Sequence, residues 1–131
     1  MGKIIRVDPS QIRPSQDFLK KETLLFISEK YKNGDFNALP PIPIVREISE
    51  GTYISIDGHN LLAFYTLKNI ECEVYVAYDR NDGIKGNSEM INKRNSDLVE
   101  RFNNVISIAL ELETKGIRTI LDLCRFTKTS L

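Results

Sequence analysis

The chain of 131 residues has no tryptophan, a single histidine and only two cysteines, and its formal net charge is zero. Each scarcity removes a class of chemistry. One histidine with two distant cysteines, Cys72 and Cys124, cannot assemble a zinc cluster, and no CxxC pair is present. Eighteen basic residues balance eighteen acidic ones, so the basic excess that usually accompanies non-specific nucleic-acid binding is missing. No apolar run approaches the roughly 20 residues of a membrane span, and Met1–Arg6 carries no apolar leader core. Gly2 also lacks the serine or threonine that a myristoylation signal requires where Arg6 stands. A cytoplasmic protein with no membrane partner is the expectation. Cys72 lies in a strand pattern and Cys124 on the apolar side of a helix pattern, so both are expected to be buried thiols.

What is present is an ordinary globular composition, 41% apolar and 27% charged, enough for one core. Lys3 to Val7 is a short β-like run closed by Asp8-Pro9-Ser10, and Ile12-Arg13-Pro14-Ser15 is a punctuated connection. Ser15 is placed to cap a helix reaching Asn33, with Leu24, Ile27 and Tyr31 on one stripe and Gly34 beyond its end. A loop follows from Asp35 to Pro43, stiffened by Pro40, Pro41 and Pro43. Ile44–Ile48 and Thr52–Ile56 then read as a hairpin about Ser49-Glu50-Gly51. Leu61–Leu67 reads as a short helix. Ile70–Tyr78 is the strongest strand signal, with Ile70, Cys72, Val74, Val76 and Tyr78 on one face.

Asp79–Asn95 is polar and reads as a loop. Beyond it Ser96 is expected to cap a helix carrying Leu98, Phe102, Val105, Ile106, Ala109 and Leu110, with Gly116 as its stop. Ile117, Ile120, Leu121 and Cys124 repeat the pattern in a second helix. The fold class is therefore α+β: a small mixed sheet with packed helices over residues 1–80, and a loop with a C-terminal helical pair over 81–131. That pair must bury its stripes on the sheet, on itself or in a homodimer.

The run Thr52 to Tyr65 concentrates the candidate chemistry. A strand that stops at Asp57-Gly58 and turns at once into a helix leaves backbone N–H groups pointing outward, where an anion can sit. His59 and Asn60 add side-chain donors at that corner. Asp57 is a candidate helix cap.

Read together, Ile12-Arg13-Pro14-Ser15-Gln16, Leu39-Pro40-Pro41-Ile42-Pro43-Ile44-Val45, Tyr53-Ile54-Ser55-Ile56-Asp57-Gly58-His59-Asn60 and Val74-Tyr75-Val76 resemble the ParB/sulfiredoxin superfamily over about residues 3–78. The resemblance implies that the turn Asp57, Gly58, His59 and Asn60 binds a nucleotide phosphate. In that superfamily ParB-type partition proteins carry Gly-Glu-Arg-Arg there and use a cytidine nucleotide. Sulfiredoxins carry Gly-Cys-His-Arg and free-serine kinases Asp-Gly-His-His-Arg. Here His59 stands where the sulfiredoxin cysteine would be, which excludes that thiol chemistry. Asn60 replaces a histidine, and Leu61 replaces an arginine that would clamp phosphate in two places. Losing such a clamp weakens phosphate binding by about 1.5–3 kcal/mol. Arg46, Lys68 and Arg13 are candidates to replace it. Where the serine kinases place a catalytic glutamate, this chain offers Gln16 and Asp17, of which only Asp17 can take a proton.

The implied function is that of a ParB-like, DNA-associated protein binding a nucleotide or nucleic-acid phosphate, with nuclease-like or nucleotide-hydrolysing activity. Its cofactor would be ATP, ADP or CTP with Mg2+, and Asp57 or Asp17 would hold the metal or accept a proton. His59, Asp17 and Gln16 are the candidate catalytic residues. Two alternatives stand beside it: a small-molecule kinase of the serine type, and a non-catalytic interaction module in which Leu61 marks lost nucleotide binding.

Overall fold

The computed structural model describes residues 1–131 as an α+β fold. Strands β1 (Lys3–Val7), β2 (Ile12–Arg13), β3 (Ile44–Ser49), β4 (Thr52–Asp57) and β5 (Cys72–Val76) form one mixed sheet in the order β1-β5-β3-β4-β2. β3 and β4 are the antiparallel hairpin read from the sequence. β5 joins β3 in parallel, β1 closes antiparallel on β5, and the two-residue β2 runs parallel to β4.

Period-two alternation divides the sheet between two cores. Val45, Tyr53, Cys72, Val74 and Val76 face helices α1 (Lys21–Lys32), α2 (His59–Lys68) and α5 (Ile120–Phe126), with Leu24, Ile27, Leu62, Phe64, Ile120 and Cys124 completing that core. Ile44, Ile54, Ile56 and Ala77 point the other way, against Leu98 and Phe102 at the end of α3 (Glu89–Arg101) and Val105 and Ala109 of α4 (Val105–Glu113). Leu98, Phe102, Val105, Ala109, Ile120 and Cys124 of the expected C-terminal stripes join these two cores. Ile117 packs with Leu112 and Leu123 in a small third cluster, and Ile106, Leu110 and Leu121 are exposed instead. No helix is long and apolar enough to cross a membrane.

Several boundaries differ from the sequence reading. Ser15 does not cap a helix: α1 starts at Lys21, and Ser15 is buried among residues from other elements. The stretch Asp79–Asn95 is not all loop, because α3 begins at Glu89 and is capped by Ser88, whose hydroxyl accepts from the Ile91 N–H, rather than by Ser96. The long helix divides at Phe102–Asn104 into α3 and α4. The last helix starts after Thr119, which forms a reciprocal cap with Asp122. The alternation of β5 ends at Val76, leaving Ala77 buried and Tyr78 exposed.

Leu98 is the pin of the second core, fully buried where α3 meets the sheet. Leu98→Ala is expected to lower stability by about 2–5 kcal/mol in urea titration. A loss under 1 kcal/mol would mean that α3 is not held on the sheet as described.

Candidate functional site

The strand-to-helix corner is built by a glycine in a conformation other residues avoid. Gly58 has φ of 98°, and an added Cβ would lie 2.7 Å from Pro43 Cβ and 2.8 Å from Pro43 Cα. Pro43 sits there because β3 runs antiparallel to β4, pairing Ile44 with Asp57. The reversal lets α2 begin at His59 with no side chain capping its first turn, so its leading N–H groups keep their polarity for an external acceptor.

These residues open onto a pocket of about 370 Å³. Gly58, His59, Asn60 and Leu61 form one side, Lys20 and Thr23 at the start of α1 another, and Pro40 and Pro41 a third. The remaining wall is α3, which presents Met90, Lys93, Arg94, Asp97 and Arg101, one helical face at spacings of three and four. Four cations therefore meet two carboxylates, Asp57 and Asp97, around one hollow.

Both arginines of that wall are held by the chain itself. Arg94 is buried, pairs with Asp57 at 3.1 Å, and donates to the carbonyls of Pro41 and Ile42. Arg101 donates to the Ile56 carbonyl at 2.7 Å, the Ser15 carbonyl at 2.6 Å and the Ser15 hydroxyl at 2.9 Å. Burial raises the Asp57 carboxyl above its ordinary value; Arg94 opposes that and neighbouring Asp97 adds to it. Asp97 accepts from Lys93 at 3.1 Å, and that lysine is largely exposed.

The side chain of His59 does not face outward as a phosphate donor. It is buried, and its Nε2 accepts the Ser15 N–H at 2.9 Å. Burial, reinforced by Arg101 and Arg94, drives its pKa down to about 3. The ring is therefore neutral, with the proton on Nδ1, which has no partner. Asn60 uses its Oδ1 to accept the Lys20 N–H at 2.8 Å, fixing the start of α1 against that of α2. Asp57 is not a helix cap, since its carboxylate goes to Arg94.

Gln16 lines the pocket, but its amide donates to the Phe18 carbonyl. Asp17 lies outside the pocket lining, in an ion pair with Lys115 at 3.1 Å. Leu61 packs into the first core, so an inward-facing position stands where the resemblance wants an arginine. Of the proposed substitutes, Arg13 pairs with Glu113, and Arg46 donates to the Phe102 carbonyl while lying 4.4 Å from the centre of its ring. Lys68 ends α2. None of the three lines the pocket; Lys20, Lys93, Arg94 and Arg101 do. Cys72 and Cys124 are buried free thiols, with pKa values pushed up by burial to about 12 and about 11.

No group of three or more His, Cys, Asp and Glu side chains could hold a metal ion. With Asp57 committed to Arg94 and Asp17 to Lys115, the residues do not build a magnesium cage.

No protein-family model matches the chain. No curated protein matches it either. Among solved structures it is similar to protein Atu1540 from Agrobacterium tumefaciens, with a TM-score of 0.46 and 17% identity over 60% of this chain. The match spans 39% of the length of that protein.

Gly58→Ala combines a disallowed φ with the Pro43 clash and is expected to cost at least about 2 kcal/mol in urea titration. An unchanged midpoint would contradict the corner geometry. For His59 the sign follows from a folded-state value below the unfolded one: its contribution is complete above pH 6.5 and is lost as pH falls toward 3. Below pH 6.5 that slope approaches about 1.4 kcal/mol per pH unit. His59→Ala should lose about 1–3 kcal/mol at pH 7 by orphaning the Ser15 N–H, and its stability should fall less steeply than that of the parent between pH 6.5 and 5. Parallel pH profiles would place a protonatable His59 in the folded state.

Proposed function

We propose that the chain binds a phosphate of a nucleotide or nucleic acid in the pocket at the start of α2, as a ParB-like, DNA-associated protein would. The observation that carries this reading is the uncapped first turn of α2 opening beside Lys20, Lys93, Arg94 and Arg101. Backbone N–H groups after Gly58 supply directed donors at the positive end of the helix dipole. The exposed Lys20 ammonium supplies a charge that can move onto the ligand. Arg101, held by carbonyl oxygens and without a carboxylate partner, contributes a standing positive field, whereas the charge of Arg94 is matched by Asp57. On this reading Arg101 of α3, outside the stretch that carries the resemblance, stands in for the arginine absent at Leu61. Any magnesium would arrive on the phosphates, since the chain offers no cage for it.

One observation favours a second reading, phosphoryl transfer to a small hydroxyl compound. Asp97 lies on the pocket beside Asp57, and its ion partner is the exposed Lys93 rather than a buried arginine, so in this reading it takes the proton-accepting role first assigned to Asp17. In that reaction the acceptor oxygen bonds to phosphorus, its proton passes to Asp97, and the leaving nucleotide takes the electron pair.

Thermal-shift titration with ATP, ADP and CTP, each with magnesium, tests the binding claim. A ligand at 100 times its Kd should add about 2.7 kcal/mol of stability, and Lys20→Ala should reduce the shift. No shift with any nucleotide, together with no duplex-DNA retention in a gel shift, would overturn the proposal in favour of a non-catalytic module. Turnover of ATP or ADP with serine, lost in Asp97→Asn while the thermal shift persists, would establish the second reading.

A further inference from the structure

A second hollow, of about 390 Å³, adjoins the phosphate pocket at the Leu39–Pro43 loop. The loop divides its residues between the two: Pro41 lines the phosphate pocket, Ile42 and Pro43 line this one, and Pro40 borders both. The walls of the second hollow are aromatic. Tyr31 of α1 stands edge-on to Phe36 at 5.2 Å and to Tyr65 of α2 at 6.4 Å, with interplanar angles of 65° and 80°. Rings inclined in this way leave notches between them instead of a flat wall. Tyr31 also lies 5.0 Å from Phe64 of the first core, which locks its ring in place. Phe36 is held through its backbone, because the Leu39 N–H donates to the Phe36 carbonyl and the Ala38 N–H to that of Asp35. Its side chain is nevertheless 58% exposed. The notches are thus preset, and little ordering remains for a ligand to impose.

The polar groups of this hollow narrow the choice of occupant. Neither the Tyr31 nor the Tyr65 hydroxyl has a hydrogen-bond partner in the chain, and neither is sealed from solvent. Both are donors free for a ligand, on rings whose bodies are apolar. A helical peptide has spent its carbonyls on its own backbone. A polyproline II segment makes no internal hydrogen bonds and offers every carbonyl. Its proline rings fill notches between aromatic side chains, the geometry by which aromatic-lined grooves hold proline-rich segments. The charges at one end complete the description. Glu73 stands opposite Arg6 in the register of β1 and β5. Glu71 has no ion pair, and the surface beyond it holds Asp8 and no lysine or arginine. That end is acidic and complements an arginine on the ligand.

We infer that this hollow binds a proline-rich segment of a partner protein in the polyproline II conformation. Its prolines lie between the rings of Tyr31, Phe36 and Tyr65, its carbonyls accept from the two phenols, and an arginine lies against Glu71 and Asp8. The site does not depend on the phosphate-binding reading, since it shares with that pocket only Pro40 and the buried Leu61.

Fluorescence polarisation of the intact chain tests this with two labelled octapeptides of proline and leucine, one with arginine at its N-terminal end and one at its C-terminal end. At least one should bind with a Kd below about 1 mM. Replacing its prolines with alanine should weaken binding about ten-fold, and replacing its arginine with glutamate about five-fold. Phe36→Ala should weaken binding about five-fold, and Tyr31→Phe by a smaller factor. Glu71→Arg should reverse the charge preference, so that the glutamate peptide binds the tighter. A loss of stability alone cannot produce that reversal, and the exposure of Phe36 and Glu71 lets melting curves confirm an intact fold. No binding of either peptide, or binding that neither Phe36→Ala nor Glu71→Arg changes, overturns the site. An amphipathic leucine–lysine helical peptide that binds more tightly and displaces both assigns the hollow to a helical partner and overturns it equally.

Discussion

The guanidinium of Arg101 joins three segments that are distant in the chain. It donates to the Ile56 carbonyl at the end of β4, to the Ser15 carbonyl and hydroxyl ahead of α1, and does so from the end of α3. A partly buried cation without a carboxylate partner must recover its hydration from oriented dipoles, and these oxygens provide them. Hydrogen bonds to a charged group are worth about 1.5–3 kcal/mol each when their loss strands a partner. Ser15 is the shared node: its N–H goes to His59, its hydroxyl donates to the Ser55 carbonyl, and its carbonyl receives Arg101. The pocket exists because these contacts hold α3 against the corner where β4 becomes α2.

That arrangement also sets the character of His59. A buried imidazole flanked by Arg94 and Arg101 cannot afford a proton, so it acts as a neutral acceptor for backbone. Histidine beside a glycine turn reads in a sequence as a donor to anions. Here the histidine instead accepts the Ser15 N–H and keeps that segment in place. Asn60 plays a matching part through the Lys20 N–H. Two side chains of the turn are thus spent on scaffolding, which leaves the amide groups of the turn as its free polar surface.

The parts of the fold legible in the sequence were those with strong periodicity or a conformational demand. The hairpin of β3 and β4, the alternation at Cys72, Val74 and Val76, and the reversal at Gly58 all follow from local rules. Helix α3 was hidden because its pocket face is Met90, Lys93, Arg94, Asp97 and Arg101, which breaks the apolar stripe that announces a helix. The absence of glycine and proline from Asn87 to Lys115, with Ser88 as a capping residue, was the signal that could have found it. Ser15 misled for a physical reason: a serine bonding an amide at a helix start and one buried where β4, α2 and α3 meet look alike in a sequence. The partners of Asp57 and Asp17 were likewise out of reach, since Arg94 and Lys115 lie on elements whose placement depends on tertiary packing.

The two sealed thiols have a consequence of their own. Cys72 on β5 and Cys124 on α5 belong to the same core, and each holds its proton well above neutrality. A thiolate-seeking reagent finds neither until the sheet and α5 part. The molecule therefore carries an intrinsic clock: its alkylation half-life at neutral pH measures how often that layer opens, with no label introduced.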